Sequence, residues 1–92
     1  MLQFILVDDE KIMRDKERQL LNEVLFSANV EYDILEYSHL TDELKMVINN
    51  SNPKVYIMDI DLKSKVSGLD IGKYIRNYDW DSEIIYITSH DK

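Results

Sequence analysis

Aspartate side chains follow two of the four apolar runs in this sequence, and a threonine hydroxyl follows another. Asp8 and Asp9 come directly after the first run, Asp59 after the third, and Thr88 after the fourth. Carboxylates that lie close together repel one another unless a cation neutralises them. Mg²⁺ takes carboxylate and water oxygens and often bridges to a phosphoryl group. These residues therefore predict a small magnesium site, provided that the fold brings the ends of the runs together.

The four runs are short and apolar, at residues 4–7, 34–35, 55–58 and 84–87. Runs of this length that end on polar residues are typical of strands buried in a parallel sheet. The segment Asn50-Ser51-Asn52-Pro53 predicts a loop before the third run. We therefore predict four strands.

The segments between the predicted strands carry helix signals. Three- and four-residue spacing of apolar positions predicts an amphipathic helix from Lys11 to about Phe26. Thr41 is the expected N-cap of a second helix that runs to Asn49, and Gly68 opens a third. The apolar positions of the first and third helices are Ile12, Met13, Leu20, Leu21, Val24 and Leu25, and then Leu69, Ile71 or Gly72, and Ile75. Alternation of strands and helices predicts an α/β fold, a doubly wound parallel sheet with helices on both faces.

Ligands of open parallel sheets bind outside the carboxyl ends of the strands, where the strand order reverses. If the first, third and fourth strands are neighbours, the acidic and hydroxyl side chains that follow them share one small cavity. Taken alone, Asp8 or Asp9 is more readily explained as an N-cap of the first helix, and Thr88 as an ordinary strand-end hydroxyl. Taken together, the three strand ends favour a site for a metal and a phosphoryl group.

Length and charge restrict the function further. A chain of 92 residues fits one domain, residues 1–92. It has 18 acidic against 11 basic residues and a formal net charge of −7, which disfavours nucleic-acid binding by this domain. It has no cysteine, which excludes disulfides and thiolate metal sites. No apolar run approaches the length of about 20 residues that a membrane helix needs, and no basic leader precedes the first run, so we expect a cytoplasmic protein.

These motifs resemble the receiver domain of two-component response regulators. The residues that carry the resemblance are the pair Asp8-Asp9, the third run ending on Asp59, Gly68 at the third helix, and Thr88. The resemblance implies a flavodoxin-like fold and a phosphoacceptor signalling domain instead of an enzyme with turnover.

The same resemblance implies roles for individual residues. Asp59 would accept a phosphoryl group from a sensor histidine kinase. Asp8, Asp9 and Asp59 would hold Mg²⁺ together with the backbone carbonyl of Asp61. The hydroxyl of Thr88 would hydrogen-bond the phosphoryl oxygens.

A finer likeness is to receivers of the quorum-sensing and competence type, whose regulators carry a LytTR DNA-binding domain. The segments that carry it are 59–62, 68–72, 75–76 and 84–90. Gly68 lies nine positions after Asp59, and the usual proline of that loop is absent, which fits the same branch. The likeness implies control of transcription through a DNA-binding domain outside this chain.

A complete receiver of this family has five strands and five helices, whereas the pattern here predicts four strands and three helices. We therefore expect a C-terminally truncated receiver that lacks the fourth helix, the fifth strand and its lysine, and the fifth helix. Residues 84–87 would then form an uncovered edge strand. Such an edge favours a homo-oligomer.

Two alternatives remain open. Asp59-Ile60-Asp61 after an apolar strand also resembles the first motif of haloacid-dehalogenase-like phosphatases, in which the first Asp is the nucleophile and the second an acid or base. The acidic pair precedes Asp59 here, whereas those enzymes place theirs downstream, and this opposes the phosphatase. The other alternative is a receiver fragment that serves only as an interaction module, which the complete acidic set disfavours.

Overall fold

The computed structural model describes residues 1–63 and 65–88. Strands and helices alternate along the chain, as the sequence predicts. Ser89 and His90, the last two residues of the segment 84–90 named above, lie outside the described residues. The elements are β1 (Leu2–Val7), α1 (Lys11–Leu25), β2 (Tyr32–Tyr37), α2 (Asp42–Ile48), β3 (Lys54–Asp59), α3 (Gly68–Tyr78) and β4 (Glu83–Ile87).

The four strands form one parallel sheet in the order β2-β1-β3-β4. This confirms the doubly wound, flavodoxin-like α/β architecture. The chain moves from β1 outward to β2 and then returns to β3 on the other side of β1, so the strand order reverses between β1 and β3. Val7 pairs with Met58, and Asp59 pairs with Ile87, which brings the carboxyl ends of β1, β3 and β4 side by side. The ligand-binding position expected for such a sheet therefore lies at these three ends.

The helices cover both faces of the sheet. On one face α2 and α3 pack against alternate residues of β1 and β3, and on the other face α1 packs against a smaller cluster. The buried residues of the larger cluster are Ile5, Val7, Leu44, Ile48, Tyr56, Met58, Leu62, Ile71 and Ile75, and those of the smaller cluster are Phe4, Leu6 and Ile34.

Helix α1 is more exposed than its apolar spacing suggests, since none of its residues is fully buried. Leu21 and Leu25 pack against the smaller cluster, whereas Leu20 and Val24 are 60% and 66% exposed. The contact stripe is narrow because polar side chains, including that of Glu17, share it. In α3, Ile71, Gly72 and Ile75 are buried, but Leu69 is exposed and its predicted inward position is wrong.

Side chains cap two of the helices. Thr41 caps α2, as predicted, by accepting the Leu44 N–H at 3.0 Å. Ser67 begins α3 with a capping box, in which it exchanges hydrogen bonds with Asp70. These bonds satisfy N–H groups that have no partner inside the helix.

Among the described residues, no helix is long and apolar enough to cross a membrane.

Candidate functional site

Three carboxylates meet at the carboxyl ends of β1 and β3. One oxygen each from Asp8, Asp9 and Asp59 lies within 4.8 Å of the other two. Asp8 and Asp59 are only 2% and 4% exposed, and Asp9 is half-buried. The parallel pairing of β1 with β3 is what brings these residues together, although 50 positions separate Asp9 from Asp59 in the sequence. We refer to the three carboxylates as the acid pocket.

Each of the two buried carboxylates is held by a backbone N–H two residues further along the chain. Asp8 Oδ1 accepts the Glu10 N–H at 2.9 Å, and Asp59 Oδ1 accepts the Asp61 N–H at 3.0 Å. These are Asx turns, which tie a carboxylate to its own backbone. The N-cap of α1 is Glu10, whose side chain makes no capping bond, so neither Asp8 nor Asp9 occupies the N-cap position.

The electrostatics of the acid pocket oppose the ionisation of Asp8. Burial raises the pKa of Asp8 above its usual value, and the charges of Asp59, Asp9 and Glu10 raise it further. The hydrogen bond from the Glu10 N–H acts in the opposite direction. A cation among these oxygens would reverse the balance. All the side-chain donors are carboxylate oxygens, which suits a hard ion such as Mg²⁺.

A fourth acid, Glu17, is half-buried on α1 and interacts electrostatically with Asp8 and Asp59 of the acid pocket. Its Oε1 is buried and has no hydrogen-bond partner among the described residues. Burial, with the charges of Asp8, Asp59 and Glu36, raises the pKa of Glu17 to about 7, whereas Arg14 lowers it. Glu17 was not predicted as a site residue from the sequence. The available signal was its spacing, since Met13 and Leu21, four residues away on either side, are also turned partly inward.

Two arginines of α1 hold the helix against β2. Arg14 donates to Glu36 Oε1 at 3.2 Å and to the backbone carbonyl of Asp8 at 2.6 Å. Arg18 donates to Glu36 Oε2 at 2.6 Å. The Arg14 guanidinium is therefore paired with Glu36 on β2, and it contacts Asp8 through the backbone carbonyl of that residue. This anchoring of α1 was also missed from the sequence.

Gly68 closes the site from the side of α3. A Cβ at this position would collide with the carbonyl oxygen of Asp59 and lie 2.9 Å from its carbonyl carbon. The Gly68 N–H donates to the carbonyl of Ile60 at 3.1 Å. The close approach of the two backbones explains why position 68 is a glycine. From the sequence, Gly68 was predicted only as the start of a helix.

The remaining candidates lie around the same edge of the sheet. Thr88 is exposed and directly follows Ile87, the register partner of Asp59. Asp61 is exposed in the turn after β3. His39, in the loop after β2, is exposed, and its Nδ1 lies 2.8 Å from the Ser38 hydroxyl.

Comparison with known protein families matches residues 4–92 to the response regulator receiver domain. Searches of curated proteins and of solved structures found no match. The family match covers nearly the whole chain, and it favours the receiver interpretation over the phosphatase. The four parallel strands and the acid pocket at their carboxyl ends agree with it. The chain therefore belongs to the response regulator receiver domain family, the signalling domains of two-component systems.

Proposed function

We propose that this receiver accepts a phosphoryl group on Asp59 from a sensor histidine kinase, with Mg²⁺ bound in the acid pocket. The observation that carries the proposal is the convergence of three carboxylates within 4.8 Å, two of them almost fully buried. Like charges at this separation are unfavourable without a cation. A structural role alone gives no reason to bury them together.

The ligands that we propose for Mg²⁺ are the carboxylates of Asp8, Asp9 and Asp59 and the backbone carbonyl of Asp61. The hydrogen bond from the Asp61 N–H to Asp59 Oδ1 supports the last of these, because it holds the turn after β3 beside the pocket. When bound, Mg²⁺ would neutralise charge on the transferring phosphoryl oxygens.

The proposed nucleophile is a carboxylate oxygen of Asp59. It forms the new bond to phosphorus while the bond from phosphorus to the donor nitrogen of the kinase histidine breaks. We propose that the Thr88 hydroxyl then donates to a phosphoryl oxygen. Its position directly after β4, whose last residue pairs with Asp59, supports this role.

We also propose an output for this domain and a location in the cell. The likeness to receivers that carry a LytTR domain supports control of transcription by a DNA-binding domain elsewhere in the regulator. We propose that signalling takes place in the cytoplasm. The net charge of −7 supports the view that this domain does not itself bind nucleic acid.

Intact-mass measurement after incubation with acetyl phosphate tests the proposal. We expect a gain of one phosphoryl group with Mg²⁺ and none with a chelator. Asp59→Asn should abolish the adduct because it removes the nucleophile. Asp81→Asn, which neutralises an exposed carboxylate in the turn before β4, is the matched control and should keep it.

The other outcomes separate the alternatives. No adduct in the presence of Mg²⁺ would contradict the proposal and favour an interaction module. Continuous release of phosphate from a generic ester, lost in Asp59→Asn, would favour the phosphatase. An adduct that survives Asp59→Asn would place the phosphoryl group elsewhere and overturn the assignment of Asp59.

A further inference from the structure

One side chain of α1 is hydrogen-bonded to the backbone of the acid pocket. Arg14 Nη1 donates to the backbone carbonyl of Asp8 at 2.6 Å. That carbonyl belongs to the peptide that joins Asp8 to Asp9, two of the residues of the pocket. Because a peptide unit is planar, the direction of the carbonyl sets the direction in which the chain enters Asp9. The bond therefore restrains the segment that carries the half-buried Asp9 carboxylate.

Other hydrogen bonds hold the same short segment. The Asp8 N–H donates to the carbonyl of Tyr37 at 3.1 Å, and the Asp8 carboxylate accepts the Glu10 N–H at 2.9 Å. The Glu10 carbonyl accepts the backbone N–H of Arg14 at 3.2 Å, at the start of α1. Among these bonds, the Arg14 guanidinium supplies the one that a substitution can remove without changing a carboxylate of the pocket.

The Arg14 guanidinium is itself held by two acceptors. Its Nε donates to Glu36 Oε1 on β2 at 3.2 Å while its Nη1 donates to Asp8, and the side chain is 16% exposed. A planar guanidinium can bind two acceptors in a fixed geometry, whereas a lysine ammonium is a single point charge on a flexible stem. The Glu36 carboxylate also compensates the charge of Arg14. A cation close to Asp8 therefore meets an ion pair and not an isolated like charge.

We propose that Arg14 is a positioning residue of the acid pocket, which holds the Asp8 carbonyl and so places the Asp9 carboxylate for Mg²⁺. The proposal rests on the function proposed above, in which the pocket binds Mg²⁺. Mg²⁺ requires nearly ideal octahedral geometry, whereas Ca²⁺ accepts longer and more variable ligand distances. Loss of the restraint on Asp9 should therefore weaken the binding of Mg²⁺ more than that of Ca²⁺.

A positioning role and a purely electrostatic role of Arg14 predict effects of opposite sign. If the guanidinium acted only through its charge, its removal would strengthen the binding of any cation, because a like charge would be lost. If it positions the Asp8–Asp9 peptide, its removal weakens the binding of Mg²⁺. A role in stability alone would lower the free energy of unfolding and leave the affinity of the folded chain for Mg²⁺ unchanged.

Titration of the chain with Mg²⁺ and with Ca²⁺, followed by amide NMR spectra, tests the proposal. Arg14→Gln, which removes the charge, should weaken Mg²⁺ binding about tenfold or more, the usual effect of losing a group that orients metal ligands. Arg14→Lys keeps the charge without the planar fork and should weaken it in the same direction. Ca²⁺ binding should weaken by less than about threefold in both variants. The same spectra show whether each variant is folded, and Arg14→Lys carries the test should Arg14→Gln unfold.

Arg18→Gln is the matched control. Arg18 lies one turn further along α1 and donates to the other oxygen of the same carboxylate, Glu36 Oε2, at 2.6 Å. Its second bond goes to the backbone carbonyl of Ile34 on β2, at 3.2 Å. The substitution therefore makes the same change of charge and weakens the same attachment of α1. It should leave the affinity for Mg²⁺ within about twofold of the wild type.

The outcomes separate this proposal from the function on which it rests. A wild type that does not bind Mg²⁺ would overturn both. A wild type that binds Mg²⁺, with Arg14→Gln binding it equally well or more tightly, would overturn the positioning role alone. Equal losses of Mg²⁺ and Ca²⁺ affinity in the Arg14 variants, or an equal loss of Mg²⁺ affinity in Arg18→Gln, would also overturn the positioning role.

Discussion

Both ends of the sheet contain buried charged residues. Opposite charges are paired at the amino end, whereas like charges lie together at the carboxyl end. At the amino end, the Lys54 side chain is 1% exposed and lies 3.8 Å from Asp79. Its Nζ also donates to the backbone carbonyls of Asn50 at 2.8 Å and Asn52 at 2.7 Å. Opposite charges and hydrogen bonds therefore satisfy this ammonium group within the described structure.

Asp79 is satisfied in the same way. Its Oδ2 accepts the hydroxyls of Tyr56 at 2.8 Å and Ser82 at 2.6 Å. Burial lowers the pKa of Lys54 below its usual value, although the charge of Asp79 and its hydrogen bond act in the opposite direction. This cluster ties the loop before β3 to the turn before β4. We interpret it as a structural clasp.

The carboxyl end of the sheet gathers charges of the same sign. Asp8, Asp9 and Asp59 bring three like charges together, and Glu17 adds a buried oxygen without a partner among the described residues. Proteins bury charge either with its compensation built in or with the compensation left to a ligand. We therefore interpret the amino end as structural and propose that the carboxyl end binds a ligand.

The largest expected effect is at the amino end, in Lys54→Met. It leaves the Asp79 carboxylate without its cation and two carbonyls without a donor, so we expect a loss of about 3 kcal/mol in the free energy of unfolding. Denaturant titration measures it. Lys11→Met, which breaks the exposed ion pair with Asp15, is the control and should change stability by less than about 1 kcal/mol. Equal losses in the free energy of unfolding for the two variants would show that the buried Lys54–Asp79 pair contributes no more than an exposed ion pair.

Gly68→Ala should give the next largest effect, because its Cβ would strike the backbone of Asp59, which cannot move aside as a side chain could. We expect about 2 kcal/mol of destabilisation and slower phosphorylation from acetyl phosphate. Gly72→Ala is the matched control, since its Cβ would meet the hydroxyl end of the Tyr86 side chain. A variant with alanine at position 68 that is as stable and as reactive as the wild type would refute the close approach.

Glu17 makes stability depend on pH. Its pKa rises from an ordinary value of 4.5 to about 7 on folding. Between these values the folded chain keeps a proton that the unfolded chain releases, so the contribution of Glu17 to the free energy of unfolding falls as pH rises and levels off above pH 7. Glu17→Gln should remove this fall. Because solvent reaches part of the side chain, we expect the variant to be more stable above pH 7 by about 1 to 2 kcal/mol.

Unfolding curves from pH 4.5 to 8 in the presence of a chelator measure the effect of Glu17. The difference between the wild type and the variant isolates this residue from other titrating groups. Glu23→Gln, at an exposed position of the same helix, is the control, and its free energy of unfolding should change with pH as that of the wild type does. Parallel curves for Glu17→Gln would show that this carboxyl is ionised normally.

The element order could be predicted because its signals are local. Apolar runs, an N-cap at Thr41 and a break that ends on Pro53 each act over a few residues. That the first, third and fourth strands are neighbours was a condition of the predicted site, and the pairing of β3 with β1 and β4 meets it. The inward turn of Glu17 and the burial of Lys54 could not be predicted. Charged residues at such positions are ordinarily exposed, and the carboxylate that pairs with Lys54 belongs to Asp79, in a distant part of the chain.

The most direct test of the central claim is the stability of Asp8→Asn with and without Mg²⁺. Without Mg²⁺ the variant should be more stable than the wild type by about 1 kcal/mol, because it removes like-charge repulsion while keeping an oxygen for the Glu10 N–H. With Mg²⁺ at 100 times its Kd, the wild type should gain about 2.7 kcal/mol and the variant much less. A wild type that Mg²⁺ does not stabilise, together with a variant that is less stable under both conditions, would contradict the assignment of the acid pocket to function.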